Sequence, residues 1–561
     1  MPKKTLLTNT TCEQNGSSSQ LVVLLHAYTH TSQQIDEVRS AVKESLPNAD
    51  LLVPDYPAGI FANTNPSRVA ENLVQHIEDA VTQRTNRLDH QSYDRILLVG
   101  HSAGALILRK TYVMAMGYDS DHVMLGKTPQ RAWATKVDRI ILMASINRGF
   151  SLAQRPEDMN WIKFQLQRLG FALLALTNTG RFIRRLQRGS PFVANLRIDW
   201  IRLSQNSTVV LPQTIQLLGD LDDVVCEEDN VDVATDQNFK YLKVRDTGHE
   251  SIVRFQEPEI GAYRKARFQY ALMTPFEAIE GDIIPDATVD LSVDQVVFIM
   301  HGIRDTGLWT NAVRQAIEAQ NKTAYVSVAG YGYFPMLWFL LLGARQTNVR
   351  WFMDEYTEAI ARHPKAALSY IGHSNGTYLI ASALERCRAC TMDRIAFAGS
   401  VVRSDYDWDG LVSQGRVQAI RNDVASADWI VGIFPGFFEL LRFSDLGTAG
   451  HNGFAAHEGK KNTVAYFKGG HGAALQPQNH NSLAHFALTG EVVREETLLV
   501  KQQSNVVAMV SKLCWAVWAA IAIALLLLGF AIVSLLALLS VPAGVSWLLY
   551  ACLVLLLLYT L

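Results

Sequence analysis

The sequence predicts an α/β fold: a mostly parallel sheet flanked by helices occurs twice, and a C-terminal transmembrane helical hairpin follows. Three observations lead to this prediction. Short apolar runs alternate with helical stretches in residues 20–275, the same order returns in residues 294–492, and charge disappears after residue 512. Continuous apolar runs are typical of buried parallel strands, and their alternation with helices indicates βαβ units.

The composition is that of a globular protein. The 561 residues carry 51 Lys and Arg against 53 Asp and Glu, a net charge of −2, and 49% are hydrophobic. This balance excludes a basic nucleic-acid-binding surface spread over the whole chain, and it excludes a disordered chain. Six scattered cysteines make no disulfide framework, and no apolar segment follows the first lysines as a secretory signal requires. We expect a flexible N-terminus over 1–19 and a reducing compartment.

The first copy contains four apolar runs that we interpret as buried strands, at 21–25, 95–99, 139–144 and 215–219. The first run ends in His26-Ala27-Tyr28, and the second leads into Gly100-His101-Ser102-Ala103-Gly104 and a helical stretch. We place the first domain at 20–275 and an acidic linker at 276–293.

The second copy repeats this plan, with apolar runs at 295–300, 367–371, 394–399 and 417–421. Its first run ends in His301-Gly302-Ile303, and its second leads into Gly372-His373-Ser374-Asn375-Gly376. The loop histidine and the motif serine are 76 residues apart in the first copy and 73 in the second. This agreement indicates an internal duplication, with the second domain at 294–492.

The repeated G-x-S-x-G motif lies between a predicted strand and a predicted helix each time. This is the context of a nucleophile elbow, in which a serine occupies a strained turn between small neighbours. In GHSAG, GHSNG, LLHAY and IMHGI the chain resembles the α/β-hydrolase serine hydrolases of the lipase/esterase type, over most of residues 20–490. The resemblance implies two tandem α/β-hydrolase domains, each with a catalytic serine, acid and histidine in that order.

In the first domain, the resemblance implies that Ser102 is the nucleophile. Asp222 follows the run 215–219 and fits the family pattern G-x-x-D-x-V, with Asp223 as the alternative acid. His249 lies in a Gly-His loop after the next predicted strand, where the general base is expected. A solvated acidic turn and a surface histidine are the structural alternatives.

In the second domain, Ser374 is the expected nucleophile, and two positions have rivals. Asp428 matches the family's acid-then-apolar pattern, whereas Asp423 is closer to the strand end. His471 lies four residues after a predicted strand, much as His249 does, so we prefer it to His480.

Each oxyanion hole needs two N–H donors. The resemblance implies Ala103 and Tyr28 in the first domain, and Asn375 and Ile303 in the second. Ala27 stands where the family usually has glycine. His101 and His373, which precede the serines, are interpreted as structural.

Two segments outside the motifs bear on the substrate. We predict that residues 150–214 form a helical cap. Residues 161–189 of this cap are rich in arginine and contain no acidic residue. This composition suits contact with an anionic membrane or, equally, a helix pair whose arginines are solvated. Residues 331–343 form an apolar run that belongs to the core or to a lipid-facing lip. The cysteines of Cys387-Arg-Ala-Cys390 are interpreted as ordinary thiols. No motif indicates a cofactor or a metal.

The last 49 residues, 513–561, contain no charged side chain. A bilayer core needs about 20 apolar helical residues, so we predict two transmembrane helices separated at 540–544. A buried hairpin in a soluble core is disfavoured by the length and the lack of charge. Arg494, Lys501 and Lys512 precede the first span, through the juxtamembrane segment 493–512, and this bias predicts domains facing the cytoplasm.

The sequence thus predicts a multi-pass, membrane-anchored serine hydrolase that cleaves carboxylic esters or thioesters of lipid-like character. The expected partners are the bilayer and a lipid or acyl-ester substrate, without nucleic acid. The alternatives are a membrane-tethered binding or scaffold protein with one or both domains inactive, and an acyltransferase.

Overall fold

The computed structural model describes residues 6–10, 12–14, 19–87, 92–123, 129–157, 159–224, 226–232, 238–282, 289–303, 307–328, 330, 342–441, 445–454 and 462–560. The chain divides into two compact units. The first comprises Met1–Val289, Met353–Pro364 and Cys387–Ala389, and the second comprises Asp290–Phe352, Lys365–Arg386 and Cys390–Leu561. Most of the apolar run 331–343 lies outside the described residues.

The first unit is built on a seven-stranded sheet. Its strands are β1 (Cys12–Glu13), β2 (Gln20–Leu25), β3 (Asp50–Leu52), β4 (Arg95–His101), β5 (Val137–Met143), β6 (Gln213–Gly219) and β7 (Phe239–Val244). The order is β1-β3-β2-β4-β5-β6-β7, and every pairing is parallel except the antiparallel edge pair of β1 with β3. The edge strand β1 lies within residues 1–19, for which the sequence pattern predicts no strand.

Helices cover both faces of this sheet. They are α1 (Asp36–Ser45), α2 (Pro66–Arg87), α3 (Ala103–Ala115), α4 (Ser120–Val123), α5 (Trp161–Leu176), α6 (Arg181–Arg184), α7 (Pro191–Gln205), α8 (Glu227–Asn230) and α9 (Gly261–Met273). Alternate residues of β2 enter two different cores: Leu21 and Val23 pack with α2 and α3, whereas Val22 and Leu24 pack with α1 and α9. Because both faces are covered, β2 is apolar from Leu21 to Leu25.

The second unit contains another seven-stranded sheet. Its strands are β8 (Gln295–Met300), β9 (Ala324–Ser327), β10 (Ala367–His373), β11 (Met392–Ala398), β12 (Val417–Ala425), β13 (Asn462–Phe467) and β14 (Leu499–Val500). The order is β14-β13-β12-β11-β10-β8-β9, parallel except for the antiparallel edge strand β14. Six consecutive strands of the two sheets therefore share one order, and the α/β prediction with mostly parallel sheets is confirmed.

The helices of the second unit complete its layers. They are α10 (Leu308–Gln320), α11 (Leu342–Arg362, whose last turns belong to the first unit), α12 (Asn375–Arg386), α13 (Trp408–Ser413), α14 (Trp429–Leu441), α15 (Ala449–Asn452), α16 (Pro477–Thr489) and α17 (Asn505–Lys512). Two C-terminal helices follow, α18 (Cys514–Leu538) and α19 (Ala543–Thr560). One core joins Val297 and Ile299 of β8 to α10 and α16.

Among the described residues, one helix is long and apolar enough to cross a membrane, namely α18 with its 25 residues. The second predicted span, α19, is shorter and packs against α18. The Tyr550 hydroxyl donates to the Leu525 carbonyl oxygen at 2.6 Å, and Trp547 contacts Phe530 edge-on. A Cβ at Gly529 would lie 2.8 Å from the rings of Trp547 and Tyr550, so glycine permits this close approach.

Candidate active site

Each G-x-S-x-G serine occupies a strained turn between a strand and a helix. Ser102 lies between β4 and α3 with φ of 52°, and Ser374 lies between β10 and α12 with φ of 51°. The Ser102 N–H donates to the Met143 carbonyl oxygen (2.9 Å), and the Ser374 N–H donates to that of Ala398 (3.1 Å), so the neighbouring strand holds each turn. A positive φ costs a non-glycine residue free energy and is typical of functional turns.

The motif glycines are required by close backbone approach. A Cβ at Gly104 would lie 2.4 Å from the His26 carbonyl oxygen, and a Cβ at Gly376 would lie 2.4 Å from that of Met300. The helix that follows each serine therefore packs directly on the strand that carries the loop histidine. Only glycine allows this contact, which sets the serine beside the strand-end loop.

In the first unit, Ser102, His249 and Asp222 form a continuous hydrogen-bonded chain. His249 Nε2 lies 2.8 Å from Ser102 Oγ, and His249 Nδ1 lies 2.8 Å from Asp222 Oδ2. The serine, at the end of β4, and the histidine are both buried. The structure thus brings together the three residues expected from the sequence.

Two further groups orient the Asp222 carboxylate. Its Oδ1 accepts the Val224 N–H at 3.0 Å, and its Oδ2 accepts the side-chain amide of Asn230 at 3.4 Å. Asp223, the alternative acid, forms an ion pair with Lys163 of α5 at 2.8 Å. Asn230 had no signal in the sequence, since only the fold brings α8 beside the turn after β6.

The two buried histidines near Ser102 have shifted pKa values of opposite sign. Burial acts to lower the pKa of His249, but the charge and the hydrogen bond of Asp222 outweigh it, so this pKa lies above its ordinary value. Burial lowers the pKa of His101 to about 3, and the neighbouring His249 adds to the shift. His101 Nε2 lies 2.9 Å from the His249 carbonyl oxygen, so a neutral His101 can donate to it and hold the His249 loop.

In the second unit, the acid and the histidine are paired. His471 Nδ1 lies 2.8 Å from Asp428 Oδ2, and Asp428 Oδ1 accepts the Val431 N–H at 3.0 Å. Within the described part of the chain, no hydrogen bond joins His471 to Ser374. His471 instead packs on Gly399, and its ring centroid lies 4.8 Å from that of His373.

The rival residues of the second unit lie elsewhere. Asp423 is completely buried between Arg421 (2.7 Å) and Arg494 (3.0 Å), which makes it part of an internal ion network. His480 Nε2 lies 2.8 Å from the Leu475 carbonyl oxygen. Among the described residues, neither forms a hydrogen bond or ion pair with Asp428 or His471.

Two of the four expected oxyanion donors directly follow the serines, and the other two lie in the loops after β2 and β8. Ala103 and Asn375 are the first residues of α3 and α12, directly after the serines. Tyr28 follows the loop after β2, where its ring stacks on Phe182, and Ile303 follows Gly302. A Cβ at Gly302 would lie 2.8 Å from Ser374 Cβ, so this loop touches the serine.

The described residues contain no group of three or more His, Cys, Asp or Glu side chains suited to a metal.

Comparison with known proteins gives no family model and no curated protein that matches this chain. Solved structures are similar over about half of it. An esterase of Pyrococcus furiosus, PF2001, is 13% identical with a TM-score of 0.29 and covers 46% of this chain and 82% of its own. Est1E of Butyrivibrio proteoclasticus is 14% identical with a TM-score of 0.26, covering 46% and 91%. A CIB-like hydrolase of Thermoplasma acidophilum is 16% identical with a TM-score of 0.24, covering 45% and 86%. Likeness at this level decides nothing about function, which rests on the geometry above.

Proposed function

We propose that this chain is a serine hydrolase of carboxylic esters or thioesters, with two tandem α/β-hydrolase domains. The observation that carries the proposal is the hydrogen-bonded chain from Ser102 Oγ through His249 to the Asp222 carboxylate. A serine hydroxyl is a weak nucleophile until an adjacent base accepts its proton, and this arrangement supplies the base and its orienting acid.

The reaction proceeds in two halves. Ser102 Oγ attacks the carbonyl carbon while its proton passes to His249 Nε2, and Asp222 stabilises the imidazolium that forms. His249 then returns the proton to the leaving alcohol or thiol as its bond to the carbonyl carbon breaks, which leaves an acyl-serine. Water, deprotonated by His249, releases the acid and restores the serine.

The oxyanion of each tetrahedral intermediate needs backbone donors. We assign the N–H groups of Ala103 and Tyr28 to this role in the first domain, and those of Asn375 and Ile303 in the second. The helix dipole favours negative charge at the N-terminus of a helix. This argument applies to Ala103 and Asn375, which open α3 and α12.

We assign Ser374, His471 and Asp428 the same roles in the second domain. Because Ser374 and His471 are not hydrogen-bonded here, we expect Ser374 to react more slowly than Ser102 until a substrate draws the histidine in. This difference also favours a second candidate for this domain alone, a module that binds an acyl ester without cleaving it.

We further propose that the C-terminal helices anchor the protein as a hairpin of two spans, with both domains in the cytoplasm. The packing of α19 on α18 and the lysines before α18 support this topology. A membrane location makes lipid-like esters the favoured substrates.

The cap helix α5 supports such substrates in the first domain. Its Lys163 pairs with Asp223, directly beside Asp222. Spacings of three and four residues place five exposed apolar side chains along one helix face: Ile162, Leu166, Leu169, Leu173 and Leu176. An exposed apolar stripe with basic neighbours suits a lipid surface.

The test is labelling of the full chain, purified in detergent, with a fluorescent fluorophosphonate. Wild type is compared with Ser102→Ala, Ser374→Ala and the double variant, beside a control hydrolase. We expect fast labelling lost with Ser102→Ala, slower labelling lost with Ser374→Ala, and none in the double variant. Labelling that depends on Ser102 alone would make the second domain a binding module.

Absence of labelling while the control hydrolase reacts would contradict the hydrolase proposal and leave a membrane-tethered scaffold. Product analysis of a cleaved ester, with and without an added alcohol, separates hydrolysis from acyl transfer.

A further inference from the structure

Helix α14 begins at the proposed catalytic acid of the second domain. Trp429, its first residue, follows Asp428, whose Oδ1 accepts the Val431 N–H at 3.0 Å while Oδ2 faces His471. The position of α14 therefore determines the position of Asp428 and, through it, of His471.

The same helix is attached to the start of the candidate membrane span. The Trp518 ring of α18 packs among three phenylalanines of α14, at centroid distances of 5.3 Å (Phe434), 5.4 Å (Phe437) and 6.3 Å (Phe438). Its indole N–H donates to the Ile433 carbonyl oxygen at 3.4 Å. These contacts join two elements of the second unit that are about 80 residues apart in sequence.

The contact sets the depth of α14 relative to a bilayer. At 1.5 Å per residue, the 25 residues of α18 extend about 37 Å, which exceeds a hydrocarbon core of about 30 Å. Trp518 lies four residues, or about 6 Å, from the start of α18. When α18 spans the membrane, its first turns lie at the headgroup boundary, and α14 lies at the same depth.

Six large apolar side chains are exposed on the helices around this contact. We call this set the interfacial collar; it comprises the exposed side chains Trp429, Leu440, Val506, Met509, Leu513 and Trp515. The one charged residue of α14, Glu439, is turned inward, where it accepts the Ser404 N–H at 2.9 Å. Lys512, at the end of α17, supplies the cation that suits headgroup phosphates.

We propose that the interfacial collar lies in the headgroup and upper acyl region of the bilayer and holds the Ser374 site at the membrane surface. The substrate of this site is then a membrane-resident amphiphile, whose ester bond reaches Ser374 without its acyl chain leaving the lipid. The inference rests on the proposed function for its chemistry, but the position of the collar does not.

The first experiment measures labelling of Ser374 in phosphatidylcholine proteoliposomes, in a Ser102→Ala background. One probe is a water-soluble ethyl fluorophosphonate and the other is a hexadecyl fluorophosphonate dissolved in the bilayer. Leu440→Glu and Met509→Glu place a charge in the collar, and Leu291→Glu, at an exposed position of the same unit, is the matched control.

We expect each collar variant to slow the hexadecyl probe roughly tenfold, equivalent to about 1.4 kcal/mol, because a charge opposes insertion into the apolar zone. The ethyl probe should keep its rate, and the control should change neither. Equal rates of the hexadecyl probe in wild type and collar variants would overturn the inference, as would equal slowing of both probes.

A second experiment measures the position of the collar relative to the membrane and needs no catalytic reaction. A nitroxide is attached at Leu440→Cys or, as control, at Leu291→Cys, after Cys12, Cys226 and Cys552 are replaced by serine. In proteoliposomes the collar nitroxide should collide more with oxygen than with a water-soluble nickel complex, and the control should do the reverse. Nickel access at position 440 equal to that at 291 would refute membrane contact and leave the collar as a protein-binding surface. If neither probe labels Ser374, the hydrolase assignment of this domain fails, and this measurement still decides the position of the collar.

Discussion

Replacing the Asp222 carboxylate by an amide tests the chain from acid to serine most directly. In Asp222→Asn the side chain keeps its shape, and the carbonyl oxygen can still accept the Val224 N–H. The amide nitrogen then faces His249 Nδ1, which in the wild-type protein lies 2.8 Å from Asp222 Oδ2. Because an amide donates, Nδ1 must accept, and the imidazole proton moves to Nε2. Nε2 then donates to Ser102 Oγ and cannot take its proton.

The expected loss is about 10³- to 10⁴-fold in the labelling rate of Ser102, the range for a triad acid whose loss leaves the wrong tautomer. At about 1.4 kcal/mol per decade, this is about 4 to 5 kcal/mol of transition-state free energy. Rates are measured with a fluorophosphonate across pH in a Ser374→Ala background. Asp223→Asn, which alters the ion pair with Lys163, is the matched control and should stay within a few-fold of the parent.

The pH dependence gives a second reading of the same substitution. His249 acts as a base only when neutral, and Asp222 holds its pKa above the ordinary value, so labelling should rise with pH through a midpoint above 6.5. Without the carboxylate, burial dominates and the midpoint should move down while the plateau falls. Partial unfolding would lower the plateau without that movement. An Asp222→Asn variant with the parent rate and midpoint would refute the reasoning.

Three further substitutions address the framework of the two sites. Ser102→Gly should be more stable than Ser102→Ala by about 1 kcal/mol, since the residue has φ of 52°; equal thermal unfolding temperatures would contradict the strain. Gly104→Ala should abolish Ser102 labelling and lower the free energy of unfolding by about 1–3 kcal/mol, because its Cβ would lie 2.4 Å from a backbone carbonyl oxygen. The control Gly59→Ala, whose Cβ would have nothing within 4 Å, should leave labelling unchanged. Asp423→Ala should destabilise the second unit by about 3–5 kcal/mol in a thermal melt, because Arg421 and Arg494 lose their buried partner. The control Asp405→Ala removes a surface ion pair and should change the melt little.

The sequence predicts best what depends on a few local contacts. Both elbows follow from a glycine two residues before and two after the serine, because the turn and the close helix leave no room for side chains there. The parallel strands follow from apolar runs at both copies, because each strand is covered on two faces. These features recur in the structure, where six consecutive strands have the same order in both sheets.

The sequence ranks Asp222 above Asp223 by a family pattern alone and does not show the contacts that distinguish the two residues. Asp222 and Asp223 share one turn, and the structure separates them by which partners they meet: Val224 and Asn230 for the first, Lys163 for the second. These partners come from other elements, or from a turn whose shape the residues do not reveal.

Burial of the helix α7 was also hidden in the sequence. Residues 150–214 have the length of an insertion and therefore suggest a cap, yet Pro191–Gln205 contributes Val193, Leu196 and Leu203 to the core with α3. Its arginines do not mark it as exposed, because Arg197 is buried in an ion pair with Asp232.

The histidine loops offer a physical reason why one site is hydrogen-bonded throughout and the other is not. In the first, the Gly248 N–H donates to Ser251 Oγ at 2.9 Å and His101 Nε2 lies 2.9 Å from the His249 carbonyl oxygen, so side chains hold the backbone beside the imidazole. In the second, His471 is flanked by Gly470 and Gly472. Their carbonyl oxygens accept the N–H groups of Ala473 and Leu475, but glycine itself restricts the backbone least. The acid is nevertheless in place, bonded to Nδ1. We expect the two glycines to let Nε2 approach Ser374 when an ester binds, so the open geometry is compatible with a site that closes on its substrate.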